Sequence, residues 1–120
     1  MANPNVVAVS SIFANTAVDA DVAASAVSLL QANTNKLIKV NSLIIANIDG
    51  VNAADISVWI TRSSVDYYIA KTISVPADST LIPIDKSMGL YLVEDDILKI
   101  QASAAGDLSA VCSYEEIDDA

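Results

Sequence analysis

Fourteen Ile and thirteen Val stand against nine Leu, and this imbalance narrows most what the chain can fold into. β-Branched side chains are stiff at χ1 and suit a pleated, half-buried surface better than a helix. Their order along the chain agrees. Ala54, Ile56, Val58 and Ile60 alternate with Asp55, Ser57, Trp59 and Thr61, and Leu98, Ile100 and Ala102 share one side of the run from Ile97 to Ser103. That is the two-residue period of a strand. From Lys36 onward, Ile38, Val40, Ile44, Ala46 and Ile48 fall on one face with only Ser42 interrupting. Lys39, Asn41 and Asn47 fall on the other with Leu37, Leu43 and Ile45, so both faces carry apolar load, as a central strand requires.

Turn signals cut the chain at regular intervals. Asn3-Pro4-Asn5 precedes a strand over residues 6–13, and Asp49-Gly50 predicts a hairpin between two alternating runs. Arg62-Ser63-Ser64 breaks one strand before Val65 to Ile73 resumes with Tyr67, Ile69 and Ile73 on one side. Pro83 assigns Thr80 to Ile84 to a sheet edge or a bulge. Further turns fall at Asp85 to Gly89, Glu94-Asp95-Asp96 and Ala104 to Asp107, and Leu108 to Glu116 is the last strand. Residues 14–34 admit two readings. Val18, Val22, Ala26 and Leu29 recur at helical spacing, whereas Ser25 to Gln31 can run as a strand closed by Asn33-Thr34-Asn35, and the strand over 26–32 is adopted. The result is an all-β chain: an antiparallel β-sandwich of about eight strands, jelly-roll or immunoglobulin-like. Residues 1–34 are expected to be an N-terminal arm or strands packed on a core of residues 35–120, within one domain overall.

Composition then excludes chemistries. The chain has no His, so it lacks Ser-His-Asp and Cys-His pairs and imidazole metal ligands. Its one cysteine, Cys112, supplies neither an internal disulfide nor a thiolate zinc site, and is expected to be a buried small apolar residue. A net charge of −9, with Lys36, Lys39, Arg62, Lys71, Lys86 and Lys99 scattered singly, argues against nucleic acid. Three glycines, none clustered, make no phosphate cradle. Strictly apolar runs are as short as Leu43-Ile44-Ile45-Ala46, so no membrane helix is expected, and Met-Ala-Asn-Pro-Asn lacks a secretory pattern. The expectation is a protein made in the cytoplasm and not secreted, with no cofactor, no metal and no enzymatic role. Its apolar excess goes into a core, a subunit interface or both, so a homo-oligomer is expected.

Candidate sites divide between bland and functional readings. Glu94, Asp95 and Asp96 alternate in direction on an extended chain and read as a solvated turn rather than a calcium ligand set. Asp49, Asn52 and Asp55 have a faint calcium-loop look without the spacing of an EF-hand, and the turn reading prevails. Trp59 and Tyr68 are the candidate partner contacts. Trp59 is either an exposed anchor or half-buried against a neighbouring strand, and Tyr67 and Tyr68 are expected to divide between core and surface.

The stretches Val40 to Gly50, Asn52 to Asp55, Leu90 to Asp96, Ala102 to Leu108 and Ser113 to Ile117 together resemble small structural proteins of tailed bacteriophages, especially those of marine bacteria and cyanobacteria. The resemblance covers roughly residues 35–117. It implies a β-sandwich located in the virion, with other virion proteins as partners (the major capsid protein, or neck and tail proteins) and no catalytic residues. A capsid decoration subunit is the reading it favours. A neck, tail or fibre component and a host-surface or carbohydrate-binding module are the alternatives.

Overall fold

The computed structural model describes residues 11–118. Nine strands follow one another without a helix among the described residues: β1 (Ser11–Asp19), β2 (Val27–Gln31), β3 (Lys36–Asn47), β4 (Ala54–Arg62), β5 (Val65–Val75), β6 (Thr80–Ile84), β7 (Leu90–Leu92), β8 (Ile97–Ala102) and β9 (Leu108–Asp118). They form a five-stranded sheet ordered β1-β9-β3-β6, with β7 also on β3, and a four-stranded sheet ordered β2-β8-β4-β5. All pairings are antiparallel.

The pairings are nested: β4 pairs β5, β3 pairs β6 and β7, β2 pairs β8, and β1 pairs β9. A hairpin folded at β4–β5 and rolled up along its length gives this order, so the sandwich is a jelly roll. β6 and β7 are two pieces of one strand of the roll, laid end to end along β3. Pro83 lies beside the break, and the turn closes with Gly89 at φ 62°, a conformation that glycine adopts without strain. The edge position expected from Pro83 is the one observed.

Between the sheets lie Ile38, Val40, Leu43 and Ile45 of β3, Ile56 and Val58 of β4, Leu98 and Ile100 of β8, and Leu108, Ala110 and Cys112 of β9. β3 departs from strict alternation. A register shift between Val40 and Ser42 turns Leu43 and Ile45 inward with Ile38 and Val40, and leaves Ile44 and Ala46 on the outer face. The single face expected for Ile38, Val40, Ile44 and Ala46 is therefore split, because one extra residue inverts every side chain after it.

Two further expectations change. Asp49-Gly50 does not close a hairpin: β3 and β4 belong to different sheets, and the turn carries the chain across the end of the sandwich. The first strand runs on to Asp19 rather than stopping at Phe13, and the part of its expected span before Ser11 lies outside the described residues. The helical spacing of Val18, Val22, Ala26 and Leu29 is not used. Val22 is buried in the β1–β2 connection, where its N–H donates to Leu108 O at 2.8 Å, and β2 takes the expected strand. The hairpin that does form is β4–β5, through Ser63 (φ 52°) and Ser64 (φ 64°), two successive left-handed residues whose twist matches that of the flanking strands.

Candidate functional site

The outer face of the four-stranded sheet gathers the aromatic and polar residues singled out in the sequence. Trp59 pairs with Tyr68 on β5 and with Lys99 on β8. Trp59 is only 4% exposed, so it is not an exposed anchor; it lies under Tyr68, with ring centroids 5.3 Å apart and planes tilted by 34°. Tyr68 is the accessible member at 47%, and the Lys71 ammonium sits 5.0 Å from its ring centroid. The indole Nε1 is buried without a hydrogen-bond partner. Tyr67 is exposed as well, beside Ile60 and Arg62, so neither tyrosine enters the core. β5 is the outermost strand of its sheet, and a bulge between Val58 and Trp59 re-aims this stretch.

Next to Tyr68 an open groove of about 250 Å³ is lined by Asp55, Ser57, Lys71, Thr72, Gln101 and Ser103. Much of its polarity serves the fold. Ser57 Oγ accepts the Thr72 N–H (3.0 Å), Ser103 Oγ accepts the Asp55 N–H (2.9 Å), and Gln101 Nε2 donates to Ala24 O (2.9 Å). Asp55, Lys71 and the Tyr68 hydroxyl remain as groups able to meet a polar ligand. Nothing in the groove is paired as a nucleophile with a base.

The carboxylates gather elsewhere, in two arrangements. At the end of the sandwich where β3 and β5 finish, Asp49 Oδ1 accepts the N–H groups of Val51 (2.8 Å) and Asn52 (3.3 Å), and Asp21 Oδ1 accepts the Gly106 N–H (2.7 Å). The backbone N–H of Val51 and the Asn52 side chain hold Asp49 below the usual carboxylate range, while hydrogen bonding to Asp49 and burial push Asp107 above it. Within the calcium-like stretch the Asp49 oxygens are thus engaged in an Asx-type turn with Val51 and Asn52. Among the described residues no group of three or more His, Cys, Asp or Glu is arranged to hold a metal ion.

At the opposite end, Asp96 corrects its sequence reading as part of a solvated turn. It is 1% exposed, accepts Arg62 Nε (2.8 Å) and Nη2 (2.6 Å) side by side, and accepts the Val93 N–H (2.9 Å). Hydropathy alone cannot reveal a buried acid; the signal was an Arg ending one strand and an acid closing the turn before another. Cys112 lies fully buried between the sheets, where burial pushes its thiol up to about 12, far from a thiolate nucleophile at neutral pH.

No protein-family model and no curated protein sequence matches the chain. Solved structures do. A chain from the disulfide-linked pili of Bacillus endospore appendages is 17% identical, with a TM-score of 0.54 over 92% of this chain and 90% of that one. The VP2 subviral particle of infectious bursal disease virus is 12% identical, with a TM-score of 0.52 over 92% of this chain. VP2 from the Gx strain of that virus gives 12% and 0.53 over 90%. This chain spans about a third of either VP2 chain, 34% and 32%. At these identities the shared property is the fold, a jelly-roll sandwich that makes up nearly all of one neighbour and one part of the others.

Proposed function

We propose that this chain is a structural subunit of a tailed-phage virion, a capsid decoration (cement) protein that stabilises the shell through protein–protein contacts. The observation that carries the reading is where its chemistry lies. The cysteine is buried, Asp96 is tied to Arg62, and Asp49 and Asp85 hold turns, while large apolar side chains such as Ile12, Phe13, Val18, Tyr67 and Tyr68 stand on the outside. Such a surface suits contact with other proteins rather than turnover of a substrate. The fold neighbours add support, since their names place them in a pilus and in a viral particle. The resemblance to small tailed-phage structural proteins supplies the choice of phage. With Cys112 buried, assembly through disulfides, as in the appendage pili, is not available to this chain.

Purified virions imaged with the labelled protein test the reading. Regular density on the shell is the expected result; density confined to neck, tail or fibre replaces the decoration role with the corresponding alternative. Absence from particles removes the virion reading altogether. A second reading, a host-surface or carbohydrate-binding module, is favoured by the groove beside Tyr68, with Asp55 and Lys71 at its wall. Glycan-array binding that is lost in Tyr68→Ala would select it.

A further inference from the structure

The outer strands of the two sheets are not protected alike. β6 carries Pro83, β7 is three residues long, and β2 is five residues long with a register shift. β5 has two register shifts, a left-handed Thr72 (φ 54°) and Lys71. These are the devices that keep an exposed strand from pairing with another chain. β1 has none of them. Its nine residues keep unbroken register with β9, it contains no Pro, Lys or Arg, and Asp19 at its end is its only charge. The Thr16 N–H donates to its neighbour Asn15 Oδ1 at 2.8 Å instead of to the ladder. Thr16 therefore turns its backbone away from β9, and by alternation so do Ile12, Ala14 and Val18.

We propose that β1 is the seam of a two-fold dimer, in which it pairs antiparallel with the same strand of a second copy in a register centred on Asn15. In that register Ile12 lies opposite the partner's Val18, Ala14 opposite the partner's Thr16, Phe13 opposite the partner's Ala17, and Ser11 opposite the partner's Asp19. Each residue with outward-facing backbone meets another of the same kind, so each such pair exchanges two hydrogen bonds. A slip of one residue would set outward-facing groups against inward-facing ones, and a slip of two would give up the Ile12–Val18 pairing.

The side chains make a second copy the fitting occupant. β1 is complementary to itself: Ile12 meets Val18, Phe13 meets Ala17, the small Ala14 meets Thr16, and its single acid meets a serine. Within one copy, Val18, Val111 and Ile44 form one apolar row across the outer face, and Ile12, Ile117 and Leu37 form another. The two-fold pairing joins the first row of one copy to the second row of the other, twice, in one continuous ten-stranded sheet. Charge allows it despite a net −9 per chain. The nearest facing acids, Asp19 of one copy and the partner's Asp118 beyond Ser11, stand two strand spacings apart, about 10 Å, beyond the ~8 Å screening length of physiological salt, and Asp118 is already paired with Lys36.

This inference rests on the reading of the chain as an assembling subunit, but each can fail without the other. Sedimentation equilibrium of the full chain should give twice the chain mass. Val18→Lys should weaken association on the order of 100-fold, because the charge enters the seam at two symmetric places. Val18 is 70% exposed, so the fold of each copy is untouched. Thr16→Pro, which removes only an outward N–H, should act in the same direction. Amide exchange adds a residue-level signature: Ile12, Ala14, Thr16 and Val18 should be protected in the dimer and exchange fast in the variants, while Phe13, Asn15 and Ala17 stay protected by β9 in both. A monomer at every concentration overturns the proposal, as does an oligomer indifferent to both substitutions. A monomer that still decorates shells removes the seam and keeps the virion role; a β1 dimer absent from particles does the reverse.

Discussion

The two ends of the sandwich hold their loops with the same side chains and opposite electrostatics. Where β4 finishes, carboxylates are met by cations: Asp96 by Arg62, and Asp118 by Lys36, with the Ser11 hydroxyl donating to Asp118 at 2.9 Å. Where β3 finishes, Asp21, Asp49 and Asp107 approach one another, and Asp21 and Asp49 are met by backbone N–H groups instead. There the central tie is neutral. Asn47 donates to Asn52 O and Val75 O, both at 2.9 Å, and accepts the Asp49 N–H at 2.8 Å, so the end of β3 is bound to the loop into β4 and to the end of β5 across the core. The difference teaches that the chain's excess of acid is not spread as a uniform solvated rim. One end neutralises it, and the other tolerates it.

The largest effect is expected where a carboxylate is buried. Asp96→Ala removes both acceptors of the Arg62 guanidinium and leaves the Val93 N–H unmet, at a cost of about 3 kcal/mol. The Arg62 side chain is 50% exposed, so water can re-solvate the guanidinium, and most of that cost comes from the buried groups. Urea unfolding measures it, and Asp96→Asn, which keeps one acceptor, should fall between wild type and Ala. A cost within error of zero would mean that this end is held by packing alone. At the other end, Asn47→Ala strands a buried carbonyl on Val75 and frees the Asp49 N–H, for about 2 kcal/mol by the same measurement. Should Asn47→Ala prove the costlier of the two, the neutral tie and not the ion pair is the stronger clamp.

The contrast between the ends was only partly legible in the sequence. The alternation in β4 and β8 showed strands, and Ile and Val outnumbering Leu showed the class, because local pattern records which face a residue turns to the core. Pattern does not record which sheet a strand joins. Asp49-Gly50 therefore read as a hairpin, although the nested pairing sends β3 and β4 to different layers. The inversion after Asn41 was hidden for a related reason: both faces of β3 are apolar, so a one-residue bulge leaves no trace in hydropathy. Trp59 and Tyr68 were singled out in the sequence, but their order, one under the other, depends on cross-strand register. Asn47 and Asp96 were missed because the partners that make burial tolerable lie far along the chain, at Val75 for one and Arg62 for the other.

Smaller effects separate the ends by pH. At the acid-rich end Asp107 has its proton affinity raised by Asp49, so its folded-state pKa lies above its unfolded value. Its contribution is favourable at low pH and is lost as pH rises through the folded value. Asp107→Asn should accordingly raise the melting temperature at pH 7 and give no gain near pH 3. Equal gains at both values would show that relief of repulsion is not the cause.

At the cation end the sign reverses. The Lys36 ammonium, then the Ser11 hydroxyl, hold Asp118 below its ordinary range, so its contribution is present above the unfolded value and is lost as pH falls through the folded one. Lys36→Gln should flatten that acid-side loss while changing stability at pH 7 little, since both side chains are reached by water. The pair joins β3 to β9, and Ser11 of β1 bonds the same carboxylate, with Ser11, Asp118 and Lys36 in register. Its loss should therefore be read most clearly in amide exchange at the start of β1. Faster exchange there, with β4 and β8 unchanged, would assign the pair to anchoring the open edge strand; uniform acceleration through both sheets would make it a general clamp of the sandwich.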